Sequence, residues 1–342
     1  MNQPHVHENA HGNAQNDFPE GRQRKANDPR GLFVSAVRYL TVDERGEGQR
    51  LDNYVLRECP AVPKTRLYRA MRKGEIRVNK GRVKPDRRLA LGDVVRLPPL
   101  STPEPRERGA APPGWQERLG ARVVFEDEHL LAINKPSGIA VHGGSGLQFG
   151  LIETLRTMRP GAKFLELVHR LDRETSGLIL VAKKPAALRA LHELLRQKGK
   201  IDKRYLALAE GAWPRHLRLV EAPLKRFERQ SGERQVKVAK DGKPSITEFR
   251  IKRSFSAATL VEARPLTGRT HQIRVHALHG GHPLLGDGKY QSEKGEGLAR
   301  KLGLKRLFLH AQSLSFELND QRYELTAPLD EELESILIKL AK

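Results

Sequence analysis

The chain has 342 residues, enough to bury a full core and to make two or three domains of ordinary size. With 62 Lys+Arg against 41 Asp+Glu its net charge is +21, more than solubility requires, so an extended polyanion is the natural partner; no apolar run approaches the roughly 20 residues of a membrane-spanning helix and no basic amphipathic helix stands out, which disfavours a membrane. The single cysteine, Cys59, excludes an internal disulfide and any cysteine-based zinc cluster, and fits a reducing, cytoplasmic location.

Residues 1–32 carry His5, His7 and His11 among repeated Asn, Gln and Gly, without the apolar core of a signal peptide, and read as a disordered tail whose histidines are incidental. Basic charge then concentrates. Residues 45–100 hold 15 Lys+Arg and 6 Asp+Glu, a balance of +9. Leu51, Tyr54, Val55 and Cys59 recur at helical spacing; Pro63 opens a second helix with Leu67, Tyr68 and Met71 on its apolar side, and Gly74 ends it. Ile76, Val78 and Val83, then Val94, Val95 and Leu97 beyond a Gly92-Asp93 turn, supply short strands. This small α+β module, residues 45–100, resembles the S4 RNA-binding domain. The resemblance implies that Lys64, Arg66, Arg69, Arg72 and Lys73 grip phosphate; on composition alone they also fit a solvated basic face. Prolines 98, 99, 103, 105, 112 and 113 mark a stiff linker over residues 101–118.

From residue 119 to 342 strand-like runs dominate, at 121–125, 129–134, 178–182, 204–209, 217–222, 246–251, 257–263, 307–310 and 313–318. Helical patterns are few, at about 149–158, 185–198, 271–279 and 331–340. Strands that outnumber helices without alternating with them predict an α+β fold with a mixed, largely antiparallel central sheet rather than a doubly wound one.

Within this region Lys135-Pro136-Ser137-Gly138-Ile139-Ala140-Val141-His142 is followed by His169-Arg170-Leu171-Asp172-Arg173-Glu174-Thr175-Ser176-Gly177, which runs into the apolar Leu178–Ala182. The second segment sets a carboxylate between two arginines, whose charge favours its ionised, potentially nucleophilic form; a salt-bridged turn capped by Thr175 and Ser176 fits the same residues. Lys203-Arg204-Tyr205-Leu206-Ala207-Leu208 and Leu266-Thr267-Gly268-Arg269-Thr270-His271-Gln272-Ile273-Arg274-Val275-His276 come next. The four segments, in this order, resemble the motifs of the RluA-type pseudouridine synthases, a similarity that runs from about Gly48 to near the C-terminus. His142–Gly146 and Leu307–Ala311 point, within that family, to members acting on large-subunit ribosomal RNA.

The resemblance implies the pseudouridine synthase fold and a cofactor-free isomerisation of a flipped-out uridine. Asp172 becomes the pivotal carboxylate, acting on the sugar or the base, with Arg274 as its ion-pair partner and Tyr205 as general base or stacking platform. Arg170 matches the residue that fills the gap left by the extruded base, and Arg269 a phosphate contact. Taken without the resemblance, Tyr205 is a half-buried core residue of an alternating strand, Arg274 a surface contact to phosphate, and His169 a hydrogen-bonded member of its turn. His276, His279 and His282 invite a metal reading, but Gly280-Gly281 interrupts the helix and no thiol or carboxylate pair completes a site, so no metal is expected. The expected partner is large-subunit ribosomal RNA, bound by a monomer with no small-molecule cofactor. Two rivals share most of these features: a non-catalytic RNA-binding or ribosome-assembly factor, and a synthase acting on transfer RNA.

Overall fold

Leu178–Ala182, the apolar run beside the Asp172 segment, lies in a strand that is buried along its whole length. A computed structural model describes residues 22–24, 33–102, 114–143, 149–228 and 234–342, which fall into two units, residues 1–108 and 109–342.

In the first unit the strands are β1 (Arg22–Arg24), β2 (Phe33–Ser35), β3 (Arg38–Thr41), β4 (Arg77–Val78), β5 (Val94–Leu97) and β6 (Ser101–Thr102). Its helices are α1 (Leu51–Glu58) and α2 (Lys64–Lys73), the latter between Pro63 and Gly74 as the sequence predicts. The sheet β3-β5-β4 packs with both helices around Leu51, Val55, Leu67, Met71, Ile76 and Val95. Three boundaries change. The sheet recruits β3, upstream of residue 45; β1 pairs with β2, so Arg22–Arg24 depart from a uniformly disordered tail; and β6 pairs with β2, so residues 101–102 are strand, not linker. The remaining tail, 1–21 and 25–32, and most of the linker, 103–113, lie outside the described residues. No strand forms around Val83, which lies in a loop between β4 and β5.

The second unit contains α3 (Trp115–Gly120), β7 (Val123–Glu126), β8 (Leu130–Lys135), α4 (Leu151–Met158), β9 (Glu166–Leu167), β10 (Ser176–Ala182), α5 (Pro185–Arg196), β11 (Ile201–Glu210), β12 (Leu219–Glu221), β13 (Leu224–Glu228), β14 (Arg234–Val238), β15 (Ile246–Ser254), β16 (Ala258–Pro265), α6 (Gln272–His279), α7 (Glu293–Leu302), β17 (Leu309–Leu318), β18 (Gln321–Thr326) and α8 (Glu331–Ala341). Ten strands make one sheet, in the order β12-β15-β16-β11-β17-β10-β8-β7, with β18 on β17 and β9 on β10. All pairings in this sheet are antiparallel except β10 with β17, so it is mixed and largely antiparallel. Alternate residues of β10 enter opposite cores: Ile179 and Val181 join Leu131, Leu155 and Leu171, while Leu178 and Leu180 join Leu191, Phe316 and Leu325. A strand buried on both faces has no polar alternation, which is why the sequence shows a continuous apolar run there.

The runs at 307–310 and 313–318 belong mostly to one strand, β17. The hairpin β13–β14, β18, α3 and α7 are additions to the sequence reading. α7 contains Gly295 and Gly297, which lower helix propensity by about 1 kcal/mol each, so its pattern is weak. β18 turns back from β17 through Asn319 and Asp320, both at positive φ, the signature of a tight hairpin.

Gly177 fixes the junction between the Asp172 loop and the sheet. Its φ is +104°, and a Cβ there would lie 2.3 Å from the carbonyl oxygen of Ala311, its neighbour on β17. Gly177→Ala is therefore expected to part β10 from β17, lowering stability by about 2 kcal/mol or more, and to cost activity through the displaced loop. Thermal denaturation of the variant checks the first effect.

Candidate active site

The Asp172 segment is a loop between β9 and β10, and the upstream Lys135–Ile139 segment is its scaffold. Lys135 is fully buried, and its Nζ donates to the carbonyls of Pro136 (2.9 Å), Ile139 (3.0 Å) and Arg173 (3.2 Å). Burial pulls its pKa down to about 7, against the attraction of Asp172. Gly138 N–H donates to Arg173 O at 2.8 Å, Arg173 Nε returns a bond to Gly138 O at 3.0 Å, and Ser137 Oγ donates to Glu174 O at 2.7 Å. His169 accepts the Leu180 N–H at 3.2 Å; its pKa falls to about 4 through burial, so it is a neutral fixture of the turn.

Held this way, Asp172 enters a cleft of about 630 Å³ shared with Tyr205, Arg170, Lys203, Arg226, Arg269, His271 and Arg274. Its charge partners are not the adjacent arginines: Arg173 binds the Gly138 carbonyl, and Arg170 is exposed with no ion pair among the described residues. Arg274 Nη1 stands 3.7 Å and His271 Nε2 3.8 Å from Asp172 Oδ2. Arg274 is only 2% exposed, which removes it as a surface contact to phosphate.

Its closest carboxylate, however, is Asp287. Arg274 Nε and Nη2 reach Asp287 Oδ2 and Oδ1 at 2.7 and 2.6 Å, a bidentate pair, while Glu174 Oε2 lies 3.6 Å from Nη2. Burial opposes the charge of Arg274, but the Asp287 bonds and the surrounding carboxylates outweigh it and raise its pKa. Asp287, 0% exposed, also accepts the N–H groups of Lys289 and Tyr290 at 3.0 and 3.3 Å. The expected ion pair of Arg274 with Asp172 is present through Nη1, and the sequence reading missed a second, closer partner: Asp287 holds the guanidinium that offers Nη1 to Asp172. The Gly286-Asp287-Gly288 sequence reads as a turn, and nothing in it marks a buried ion pair.

Tyr205 comes from β11 at a bulge: Arg204 faces Ser313 of β17 while Tyr205 faces Ala311. The unpaired residue is Gln312 of β17, and the Tyr205 ring packs between the cores containing Leu171 and Ile273. Burial first, and then the negative charge of Asp172, push its phenol well above the ordinary tyrosine pKa, so it is neutral at physiological pH. Arg269 is exposed at the rim, its Nε 3.3 Å from Pro244 O. His276, His279 and His282 do not converge: His276 bonds the Ala222 carbonyl at 3.1 Å, His282 that of Glu210 at 2.9 Å, and His279 is exposed.

The S4-like unit presents Lys64, Arg69, Arg72 and Lys73 to solvent. Arg66 is half-buried and paired with Glu75 at 2.9 Å. Beside it a basic cleft is lined by Lys73, Arg77 and Arg96, the last two not foreseen from helical spacing because they come from β4 and β5.

The RNA pseudouridylate synthase model matches residues 129–279, the stretch that carries all four segments of the cleft, and the S4 domain model matches residues 49–95. The ribosomal large subunit pseudouridine synthase C of Pasteurella multocida is 53% identical over 312 residues, 90% of this chain and 94% of that protein. The chain belongs to the RNA pseudouridylate synthase family. The enzyme of the same name from Escherichia coli is 50% identical over 307 residues, covering 88% of this synthase and 95% of its relative. Among solved structures, human RNA pseudouridylate synthase domain containing 4 matches with a TM-score of 0.56 at 27% identity, over 66% of this synthase and 95% of that chain.

Proposed function

We propose that this synthase converts uridines of large-subunit ribosomal RNA to pseudouridine in the cytoplasm, as a monomer, with Asp172, Tyr205 and Arg274 as its catalytic set. The observation that carries the assignment is the carboxylate of Asp172 in a basic cleft, 3.7 Å from a buried arginine fixed by another carboxylate. A protein that only bound RNA has no use for such a group, because it repels phosphate. The isomerisation breaks the bond from N1 to C1′, forms one from C5 to C1′, and moves a proton from C5 to N1, so it needs no redox partner or energy input. Asp172 supplies the negative charge that acts on the sugar or base, Arg274 steadies it, and Arg170, exposed and free of ion pairs among the described residues, takes the place of the extruded uridine in the stack. The large-subunit substrate is supported by the names of the relatives above. A pseudouridine map of ribosomal and transfer RNA from cells with and without the protein tests it: loss of sites confined to large-subunit RNA is expected, whereas loss in transfer RNA, or no loss, refutes the substrate assignment.

In this reading Tyr205, which lines the cleft, stacks on the uracil and relays the C5 proton; a neutral phenol accepts a proton only as it passes its own on. Tyr205→Phe keeps the ring, so RNA affinity is expected to stay close to wild type while turnover falls by about 100-fold or more. Binding and single-turnover assays on one preparation separate the two effects.

Lys73, Arg77 and Arg96 are expected to hold phosphate. Replacing Lys73 and Arg77 together by alanine should weaken binding about equally across RNA sequences and reduce the slope of log affinity against log salt by roughly 1.5, since each lost contact removes about 0.7 to 0.9. An unchanged slope assigns grip elsewhere.

A further inference from the structure

His271 is an unusual residue for its position. It precedes α6 with a φ of +54°, a left-handed conformation uncommon among residues other than glycine. Its Nδ1 lies 2.7 Å from the hydroxyl of Tyr290, and that hydroxyl accepts the backbone N–H of Val236, on β14, at 2.9 Å. Tyr290 is 7% exposed, so its proton needs an acceptor, and the one it has among the described residues is His271 Nδ1. The Tyr290 O–H therefore donates to Nδ1, and the remaining ring proton sits on Nε2. That nitrogen faces Asp172.

We propose that His271 is a positioning residue for the reaction: as the Nε2–H tautomer it joins Arg274 on Oδ2 of Asp172, leaving Oδ1 as the oxygen that reacts. The two donors approach the same oxygen, at 3.8 and 3.7 Å, while Oδ1 has no hydrogen bond among the described residues. A carboxylate shift of about 1 Å brings both donors into bonding range, the kind of tightening that accompanies substrate binding. The histidine is tied to the hairpin β13–β14 as well. Arg226 of β13 bonds the hydroxyl of Thr270, next in sequence, and Tyr290 packs with Leu224 and Val236 of the two hairpin strands. A hairpin displaced by RNA thus acts on the aim of Asp172 through Tyr290 and His271.

Protonation should break this arrangement. Charged and titratable groups around the ring are Asp172 and Glu174 of the loop, Arg274 of α6, Asp287, Lys289 and Tyr290 of the following segment, and Arg226 of the hairpin. Burial first lowers the imidazole pKa, with Asp172 and Asp287 pulling it up and Arg274 and Lys289 down. An imidazolium would turn a second N–H toward the Tyr290 hydroxyl and leave the phenol proton without its acceptor.

The proposal rests on Asp172 as the reacting carboxylate, so Asp172→Asn is measured beside it: an active Asp172→Asn enzyme refutes that reading, whereas an inactive one leaves His271 to be judged separately. Steady-state turnover on transcribed large-subunit ribosomal RNA is followed for wild type, His271→Asn, His271→Gln and Tyr290→Phe, with melting temperatures recorded. Asparagine tolerates the left-handed backbone but is too short to reach Asp172; glutamine restores a donor near the Nε2 position. We expect His271→Asn to lower kcat by about 100-fold with KM changed by less than about threefold, and His271→Gln to recover at least about tenfold of that loss. Tyr290→Phe frees Nδ1, so the acid limb of its kcat profile should move to higher pH. The proposal is overturned by wild-type kcat in His271→Asn, by a glutamine no better than the asparagine, or by an acid limb that stays in place in Tyr290→Phe.

Discussion

Asp172→Asn is expected to abolish pseudouridine formation, by about 10⁴-fold or more, in a protein that still folds. The substitution keeps the side chain's shape and removes its charge and its nucleophilic oxygen. Stability should change little, because the nearest donors, on Arg274 and His271, stand 3.7 and 3.8 Å away and the side chain is 23% exposed. Arg274 is not stranded, since its bidentate partner is Asp287. RNA affinity should hold or rise, as one phosphate-repelling charge leaves the cleft. A salt-bridged turn in a pure binding protein makes the reverse forecast: lost stability with function retained. Melting temperature, affinity and product yield from one preparation decide between them, and multiple turnover by a folded Asp172→Asn enzyme refutes the mechanism.

Asp287→Ala should be the most destabilising of the substitutions considered. It strands the Arg274 guanidinium, 2% exposed, inside the protein, and removing one member of such a pair costs about 3–5 kcal/mol. For a domain of this size that is a fall in melting temperature of roughly 10 °C. Activity should fall too, because Asp287 aims Arg274 and, through the Tyr290 N–H, shapes the turn that carries the Tyr290 hydroxyl. Asp287→Asn separates the two effects: it keeps a hydrogen-bonding oxygen and should lose less stability, yet still release one arm of Arg274. Calorimetry and turnover on both variants test this; an Asp287→Ala protein as stable as wild type would mean that the pair contributes nothing.

What could be read from the sequence was what repeats locally. The second helix of the S4-like module shows its start at Pro63 and its stop at Gly74, and β10 shows its double burial as an unbroken apolar run. Three of the four motifs located the cleft because Asp172, Tyr205, His271 and Arg274 sit within them, while Arg226 and Arg264 enter it from outside any motif. Contacts between distant segments were not legible in the residues themselves; the pair of Asp172 with Arg274 was implied by the family resemblance alone. By sequence Asp172 belongs with Arg170 and Arg173, but Arg173 is drawn to the Gly138 carbonyl and Arg170 is exposed, and the nearest cation is a residue 102 positions later. Asp287 lies in a glycine-flanked turn, so its burial arises only from the packing of that turn against α6. The bulge at Tyr205 leaves no mark in an alternating strand, and the hairpin β13–β14 is so charged on its outer face that its Leu224 and Val236 anchors are hidden among lysines and arginines.

The parallel pairing of β10 with β17 also sets a timetable. Ser176 and Gly177, which immediately follow the Asp172 loop, are registered against His310 and Ala311, more than 130 residues further along. Closing so long a loop is slow compared with forming local helices and hairpins, and it comes late in any chain that folds as it is made. On a translating ribosome Asp172 can be written early but stays unaimed until β17 has emerged and docked.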